Sequence, residues 1–280
     1  MPHPVTISGG WTAPRCDQHP LALLAIETAG SACSAAVARD GVVLAAECLV
    51  LRHGHAEVLF PMIERVMHEA RLAPSQLDAV AAAVGPGGFT GIRVGLAAAH
   101  GIALAVGARL VGISSFAAVA ARVAGLRIGG PGGTGCLGAW HRASGCQALL
   151  VALDSRRADL YVQLFALDAL APLAAPEALI ADRLGEYVAS VAGDATLLIA
   201  GDAAASASAA LGGRAGIAIA GNSAPDAEGV LAAAQRQLGF DAAVDAPAGP
   251  VRPLYLRAPD VTLASRSPAK RPRPLPADAR

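Results

Sequence analysis

The sequence predicts an α/β fold of two lobes, each with a mixed sheet flanked by helices. Near the start, two apolar segments are joined at Asp40-Gly41, a dipeptide that is typical of a β-hairpin turn. Segments with helical and strand-like periodicity then alternate as far as residue 124. A second pair of apolar segments around a polar turn, ALLVALDSRRADLYVQLFAL at 148–167, resembles the opening pair and indicates a duplicated architecture.

The first half has a regular order of elements. Three strand-like segments begin with LALLAIETAG at 21–30, and an amphipathic helix follows at about 57–70. Because Pro61 lies inside this pattern, the helix either begins near Phe60 or is kinked at the proline. A buried strand, a helix at about 90–106, a further strand and a further helix complete the series. The order βββαβαβα matches the ribonuclease H-like arrangement of a mixed sheet covered by helices.

The second half continues after an abrupt change in composition to glycine. Residues 176–190 have helical periodicity, 195–202 and 216–221 are strand-like, and a last helix is predicted to begin at a cap on Ser223. The predicted domains are a flexible N-terminal extension (1–20), the N-terminal lobe (21–124), a glycine-rich insertion or linker (125–147), the C-terminal lobe (148–257) and a proline-rich basic tail (258–280).

Charge, cysteine and histidine content argue against several classes of protein. Lys+Arg 22 against Asp+Glu 22 gives no whole-chain attraction to the phosphates of RNA. The basic C-terminal run is interpreted as a solvated tail, with an RNA-binding arm as the alternative. The 5 cysteines contain no C-x-x-C pair, which argues against a zinc ribbon, and the 7 histidines contain no H-x-x-x-H or H-E-x-x-H pair. No metal site is therefore predicted.

Two observations bear on the location of the protein. The most apolar run, between Arg93 and Arg109, is shorter than the roughly 20 residues of a membrane span. The first 20 residues contain no continuous apolar core of the kind found in a signal peptide. We therefore expect a cytoplasmic protein that does not associate with a membrane.

The segment GPGGFTGIRVGL at 85–96 looks at first like a phosphate-binding loop. It has no lysine for a Walker A motif, and Thr90 stands where a dinucleotide fingerprint has its last glycine. Backbone amides at the start of the following helix could still hold an anion, with Thr90 as a candidate N-cap. In the other interpretation, Gly91, Gly95 and Ala99 form a stripe of small residues that packs closely against the chain's own sheet or against another subunit.

Glu27 and Asp154 are the carboxylates that could carry chemistry, because each ends an apolar strand at the start of a hairpin, one in each half. In a two-lobed phosphotransferase, such carboxylates would hold Mg²⁺ or orient a water molecule. The other interpretation is that each accepts hydrogen bonds from turn amides. The sequence contains no G-x-S-x-G segment to indicate a serine hydrolase.

Six segments of the chain carry a resemblance. They are LLAIETAGSACSAAV, HAEVLFPMIERVM, AVGPGGFTGIRVGLAAAHGIALA, LVGISSFAAVA, LDSRRADLYV and PLYLR, which extend from about Leu21 to Arg257. In order and approximate spacing they resemble the TsaB (YeaZ) family, and GPGGFTGIRVGL is the most specific of them. The family usually has aspartate at the position of Glu27 and serine at that of Gly88, so the chain departs from the pattern there.

The resemblance implies an actin-like or Hsp70-like ATPase fold of two ribonuclease H-like lobes. It also implies a non-catalytic scaffold or dimerisation subunit of the machinery that transfers threonylcarbamoyl to N6 of adenosine 37 in tRNAs reading codons that begin with A (t6A synthesis). A TsaD-like subunit is then the catalytic partner. A TsaE-like ATPase joins the complex, tRNA binds through it, and a second copy of the chain pairs with the first when the TsaD-like subunit is missing.

The resemblance further implies that the chain binds no cofactor tightly. The complex uses ATP, and a nucleotide could lie at the subunit junction. The alternative function is an ATP-dependent phosphotransferase of the actin-like superfamily, which would use Glu27 and Asp154.

By the same resemblance, the subunit interface is expected on the helices at 57–70 and 90–106. Its predicted residues are Val58, Leu59, Met62, Ile63, Val66, Thr90, Gly91, Val94, Gly95, Ala98, Ala99 and Ile102. A vestigial nucleotide or anion site is predicted at Glu27, Thr28, Gly87, Gly88 and Asp154. No residue is predicted to be catalytic. If the small-residue stripe faces a partner, Gly95→Glu is expected to abolish the complex and to leave the subunit folded.

Overall fold

The structure is a computed structural model that describes residues 21–51, 53–124, 145–212, 214, 216–220, 224–241 and 250–257. The predictions for the N-terminal extension, for the basic tail, for Ser223 and for nearly all of the glycine-rich insertion fall outside the described residues. Within the described ranges, the chain forms two five-stranded sheets with helices on their faces.

The first sheet is built from the first half of the chain. Its strands are β1 (Ala22–Glu27), β2 (Ala32–Arg39), β3 (Val42–Val50), β4 (Ala79–Gly85) and β5 (Arg109–Ser114). The helices between and after them are α1 (His55–Glu69), α2 (Phe89–Val106) and α3 (Ser115–Val123). The strand order is β3-β2-β1-β4-β5, with β1 antiparallel to β2 and parallel to β4. Asp40 and Gly41 both have positive φ, as the tight turn of the predicted hairpin requires.

The second sheet repeats this arrangement. Its strands are β6 (Ala148–Asp154), β7 (Asp159–Ala166), β8 (Glu177–Ile180), β9 (Leu197–Ala200) and β10 (Ile217–Ile219). Its helices are α4 (Leu184–Ala192) and α5 (Ala204–Ala210). The order β8-β7-β6-β9-β10 matches that of the first sheet, with β6 antiparallel to β7 and parallel to β9. The predicted fold class, two ribonuclease H-like lobes with mixed sheets, is confirmed.

Two local predictions are wrong, and one of the two alternatives for α1, a start near Phe60, is excluded. Residues 177–180, predicted as helix, form the edge strand β8, because pairing with β7 overrides their helical periodicity. α1 already begins at His55, so Pro61 lies inside the helix, on its exposed side. Thr90 is not an N-cap, because α2 begins at Phe89, directly after Gly88.

Helices cover both faces of the first sheet. α1 and α2 share one apolar core with one face of the sheet. The other face is covered by α3 and by a helix from the end of the chain, α6 (Ala227–Asp241), whose Val230 and Leu231 are buried there. The prediction that 148–257 forms one C-terminal lobe is therefore wrong for α6, which returns to the first lobe because the apolar face of β1 and β2 is open to it. The carboxylate of Asp226 caps this helix by accepting a hydrogen bond from the backbone N–H of Gly229 at 2.7 Å.

The two lobes share a core and a crossing segment. Phe116 and Val119 of α3 are buried in one cluster with Leu149 and Val151 of β6. The crossing segment is residues 250–257, here called the strap. Its backbone joins the first lobe, and its last residues reach the second lobe.

The contacts of the strap are specific on both sides. The backbone N–H of Leu254 donates to the Val84 carbonyl at 2.8 Å, at the end of β4. The guanidinium of Arg257 pairs with the carboxylate of Asp159, a buried residue at the start of β7, at 2.5 Å. The strap therefore ties the N-terminal sheet to the C-terminal sheet.

α2 is apolar over most of its surface, with Arg93 and His100 as polar residues on the exposed side. Among the described residues, it is the helix whose length and composition would allow it to cross a membrane. One side packs against the sheet, with Gly91, Gly95 and Ala99 buried, as in the core helix of a globular domain. Its high hydropathy therefore has two causes: one side lies in the core of the lobe, and the other is an apolar surface.

Candidate functional site

The glycine-rich segment 85–96 packs against the turn between β1 and β2. The hydroxyl of Thr28 donates to the Gly91 carbonyl at 2.7 Å, and the backbone N–H of Gly88 donates to the Ala29 carbonyl at 2.8 Å. A Cβ atom at Gly91 would overlap the carbonyl oxygen of Thr28, and one at Gly95 would overlap the Thr28 hydroxyl. These glycines are needed because the turn of the chain's own first hairpin lies directly against α2.

The predicted interface set therefore needs correction, because most of its members lie inside the monomer. The residues buried in the N-terminal lobe are Leu59, Met62, Ile63, Val66, Gly91, Gly95, Ala98 and Ala99. Val58, Val94 and Ile102 are half-buried, and Thr90 is exposed. The periodic apolar residues of α1 and the small-residue stripe of α2 face the sheet because that side of each helix covers the core. The expectation that Gly95→Glu leaves the subunit folded is also wrong on this geometry, since the new side chain would displace Thr28.

The surface that α1 and α2 present to solvent is made of other residues. We call it the outer face, and it consists of Phe60, Pro61 and Glu64 of α1 with Arg93, Ala97, His100, Gly101 and Leu104 of α2. Phe60 is 54% exposed and Leu104 is 79% exposed, which is unusual for large apolar side chains on neighbouring helices. A Cβ atom at Gly101 would meet nothing within 4 Å. This face was not predicted from the sequence, although Ala97, Gly101 and Ala105 repeat the four-residue spacing of the buried stripe.

The predicted anion site lies at a cleft between the lobes. The cleft has a volume of about 230 Å³, and its walls include Gly30, Gly87, Gly88, Asp154 and Arg156. This volume is below the roughly 300–1,000 Å³ of typical ligand pockets. Gly87, Gly88 and Asp154 are thus brought together, whereas Glu27 and Thr28 lie behind the cleft wall, both buried.

Glu27 is fully buried beneath the turn between β1 and β2. Its Oε1 accepts hydrogen bonds from the backbone N–H groups of Ala29 at 2.8 Å and Gly30 at 2.9 Å. Burial raises the pKa of Glu27 to about 8, although these two amide bonds oppose the rise. At pH 7 the side chain is therefore mainly a neutral acid, and a neutral, enclosed carboxyl is a poor ligand for Mg²⁺.

Asp154 lies at the cleft itself and is hydrogen-bonded within its own hairpin. Its Oδ1 accepts a hydrogen bond from the backbone N–H of Arg156 at 2.7 Å, while its own N–H donates to Asp202 Oδ1 at 2.9 Å. Desolvation by the cleft walls, together with the nearby charge of Asp154, raises the pKa of Asp202. The guanidinium of Arg156 crosses the cleft and donates to the Gly30 carbonyl at 2.9 Å. Both Glu27 and Asp154 thus accept hydrogen bonds from backbone amides of their turns. This is the structural role that the sequence left open as an alternative to metal binding.

Three charged side chains line the cleft. Asp154 and Asp202 are the two carboxylates at the cleft, and Arg156 lies between the lobes. Among the described residues, no group of three or more His, Cys, Asp or Glu side chains is placed to hold a metal ion. By contrast, the outer face exposes the large apolar side chains of Phe60 and Leu104 beside polar residues.

Comparison with known protein sequences gives a consistent result. A family model described as TsaD, tRNA N6-adenosine threonylcarbamoyltransferase, matches residues 49–128. The chain is 32% identical over 139 residues to the tRNA threonylcarbamoyladenosine biosynthesis protein TsaB of Escherichia coli (strain K12), covering 50% of this chain and 52% of that protein. It is 37% identical over 100 residues to the protein of the same name from Haemophilus influenzae, covering 36% of this chain and 42% of the relative. The chain spans about half the length of the curated relatives it matches.

The solved structures agree with the sequences. YeaZ from Pseudomonas aeruginosa superposes with a TM-score of 0.65 at 26% sequence identity, covering 84% of this chain and 100% of that chain. This match includes both lobes, whereas the sequence matches cover about half of the chain or less. In sequence and in fold, the chain is similar to proteins of the TsaB (YeaZ) family.

Proposed function

We propose that this chain is a non-catalytic scaffold subunit for the synthesis of t6A in tRNA. Its outer face binds a TsaD-like subunit, which performs the threonylcarbamoyl transfer. A TsaE-like ATPase joins the assembly and uses ATP, and tRNA binds to the complex rather than to this chain alone. The complex is cytoplasmic, and a nucleotide could lie at its subunit junction.

The observation that carries this proposal is the unpartnered apolar surface on α1 and α2. Phe60 and Leu104 are more than half exposed, although the opposite sides of the same helices are fully buried. Exposed aromatic and large aliphatic side chains beside small residues are the usual components of a helix-packing interface. The similarity to tRNA threonylcarbamoyladenosine biosynthesis proteins, together with the match to the TsaD family model, supports a TsaD-like protein as the partner.

The interlobe cleft supports the absence of catalysis. Glu27 is enclosed and mainly neutral, and Asp154 accepts a hydrogen bond from a backbone amide of its own turn. The side chain of Arg156 crosses the space in which a substrate would bind. An active phosphotransferase would need carboxylates directed at Mg²⁺ and an open cleft.

The proposal is tested by co-purification with the TsaD-like protein of the same cell. A Phe60→Glu/Leu104→Glu variant places two charges on the outer face and is expected to lose capture of that protein by at least tenfold. Leu173→Glu is the matched control, since Leu173 is a 45% exposed leucine on the other lobe. Capture by the double variant at the wild-type level would exclude the outer face as the docking surface. Turnover of Mg-ATP by the isolated chain, if abolished by Asp154→Ala, would instead favour the phosphotransferase.

A further inference from the structure

The positive charge of the chain is concentrated at one end of the sequence. Residues 252–280, here called the basic arm, contain 7 Lys or Arg residues against 2 Asp residues, a net charge of +5. The other 251 residues contain 15 Lys or Arg residues against 20 Asp or Glu residues, a net charge of −5. The formal net charge of zero therefore conceals a separation of charge, which is typical of a chain with a nucleic-acid-binding arm.

The structure describes the first part of this arm, because residues 252–257 belong to the strap. The strap is fixed to both lobes, since Leu254 is hydrogen-bonded to the end of β4 and Arg257 is paired with the buried Asp159. Residues 258–280, which carry five of the seven basic side chains, therefore continue from an anchored point at the second lobe.

The described surface beside the strap is also basic. The strap residues on either side of Arg252 line a cavity of about 550 Å³ with Arg93 and His100 of α2, and the described lining residues include no carboxylate. Arg252 and Arg93 are both exposed. Among these lining residues, the charge of Arg93 is therefore not offset by an acid, unlike that of Arg257, which pairs with Asp159.

Two aromatic rings lie at the same place. The ring of Tyr255 in the strap stacks on that of Phe89, with centroids 5.3 Å apart. The guanidinium carbon of Arg93 lies 3.6 Å from the centroid of the Phe89 ring, and its Nε–H donates to the Tyr255 hydroxyl at 3.1 Å. Phe89 is 41% exposed and Tyr255 is 39% exposed, so both rings are partly open to solvent. Aromatic rings beside an arginine are groups on which unpaired bases of RNA stack.

We infer that the basic arm contacts the sugar-phosphate backbone of tRNA within the complex. Its Lys and Arg side chains neutralise phosphates, and the aromatic rings beside the strap meet an unpaired base. RNA fits this surface better than an acidic protein segment, because it combines a high density of negative charge with flat bases. The inference rests on the proposed function, in which tRNA binds to the complex, and specifies which part of this chain reaches the tRNA.

Neutralising the arm tests this contact in the complex of the full chain with the TsaD-like protein. Arg252→Gln/Arg271→Gln removes two positive charges from the arm. Arg71→Gln/Arg183→Gln is the matched control, since it removes two exposed positive charges elsewhere in the chain. The probe is a fluorescently labelled, unmodified transcript of a tRNA that reads codons beginning with A. Its anisotropy is measured while each complex is added, at several salt concentrations.

We expect the arm variant to raise the dissociation constant for tRNA at least fivefold and the control to stay within about twofold of the wild type. The slope of log association constant against log salt concentration should become shallower by about 2 for the arm variant, roughly one for each lost phosphate contact. In t6A formation, the arm variant should raise KM for tRNA and leave kcat unchanged, because the TsaD-like subunit performs the transfer.

Three results would overturn the inference. The first is wild-type affinity and salt dependence of tRNA binding by the arm variant, and the second is an equal loss of affinity with the control. The third is loss of the TsaD-like subunit from the arm variant, because the arm would then bind a protein rather than RNA. In each case the proposed function stands if Phe60→Glu/Leu104→Glu still loses capture of the TsaD-like protein.

Discussion

The interlobe cleft and the outer face of α1 and α2 differ in how their side chains are satisfied. At the cleft, Asp154 accepts a hydrogen bond from an adjacent turn amide and Arg156 donates to the Gly30 carbonyl, while Glu27 accepts hydrogen bonds from turn amides behind the cleft wall. On the outer face, Phe60 and Leu104 project into solvent. The polar side chains at the cleft thus have hydrogen-bond partners within the monomer, whereas the outer face lacks the apolar neighbours that would bury it.

The two sides of α2 therefore have different roles, one in the fold and one in the proposed function. The glycine-rich segment after β4 serves the fold, because it lets α2 approach the turn of the first hairpin. The side of α2 that faces away from the turn is free of that constraint and is where we propose that a partner binds. Substitutions can test the two regions against each other, and the largest change in stability is expected at the glycines of α2.

Two glycines of α2 should respond in opposite ways to the same substitution. Gly91→Ala places a methyl group against the Thr28 carbonyl and should lower the free energy of unfolding by about 3 kcal/mol. Gly101→Ala meets nothing within 4 Å in an exposed helical position and should raise it by about 0.5–1 kcal/mol. Urea denaturation of both variants measures the contrast. Equal changes in the free energy of unfolding would contradict the close packing of Gly91 against Thr28 and the open space beside Gly101.

Glu27 should make the stability of the protein depend on pH. Its pKa is about 8 in the folded protein against 4.5 when exposed, so the folded state keeps its proton over a range in which the unfolded state loses it. The free energy of unfolding should therefore fall as the pH rises from about 4.5 and level off above about 8. Glu27→Gln keeps an acceptor for the two turn amides and cannot ionise, so the variant should gain stability relative to wild type between pH 5 and pH 9, on the order of 3 kcal/mol. If the free energy of unfolding depends on pH in the same way for the wild type and for Glu27→Gln, this account of Glu27 is contradicted.

The strap should contribute stability through the contact that it makes with the second lobe. Arg257→Ala leaves the buried carboxylate of Asp159 without its cationic partner, although Ser155 still donates to it at 2.8 Å. We expect a loss of about 1–2 kcal/mol, since the guanidinium is partly exposed and its interaction is screened by water. Arg252→Ala, at an exposed strap position, is the control and should change the free energy of unfolding by less than about 0.5 kcal/mol. Hydrogen exchange at Leu254 reports whether the strap itself loosens.

The smallest effect is expected at the cleft carboxylates. Asp154→Asn retains an oxygen for the Arg156 amide and should change the free energy of unfolding by less than about 0.5 kcal/mol. It should also leave t6A synthesis by the reconstituted complex unchanged. A large loss of activity with a normal fold would show that the cleft has a catalytic role.

Local signals in the sequence were sufficient for most of the fold. The hairpin at Asp40-Gly41, the alternation of strands and helices and the echo of the first hairpin at 148–167 all depend on neighbouring residues. The placement of α6 on the first lobe could not be predicted from such signals, because it depends on which sheet face is open after the whole chain has folded. The edge strand at 177–180 was missed for the same reason, since its pairing partner β7 lies more than ten residues earlier.

The candidate site shows a similar limit. The four-residue spacing of Gly91, Gly95 and Ala99 indicates close packing, and the same spacing at Ala97 and Gly101 does so equally well. Which side of the helix meets the sheet is decided by the direction in which α2 leaves Gly88, and that direction is a property of the folded loop. The sequence therefore identified the two helices, but most of the interface residues that it predicted lie on the side of each helix that covers the core.

The most direct measurement is t6A formation by the reconstituted complex with two double variants of this chain. Phe60→Glu/Leu104→Glu changes only the outer face, and Asp154→Asn/Asp202→Asn changes only the cleft. The account predicts that the first variant abolishes t6A formation and capture of the TsaD-like subunit, while the second retains both. Loss of t6A formation with the cleft variant, together with full activity of the outer-face variant, would contradict the proposal that this chain is a scaffold.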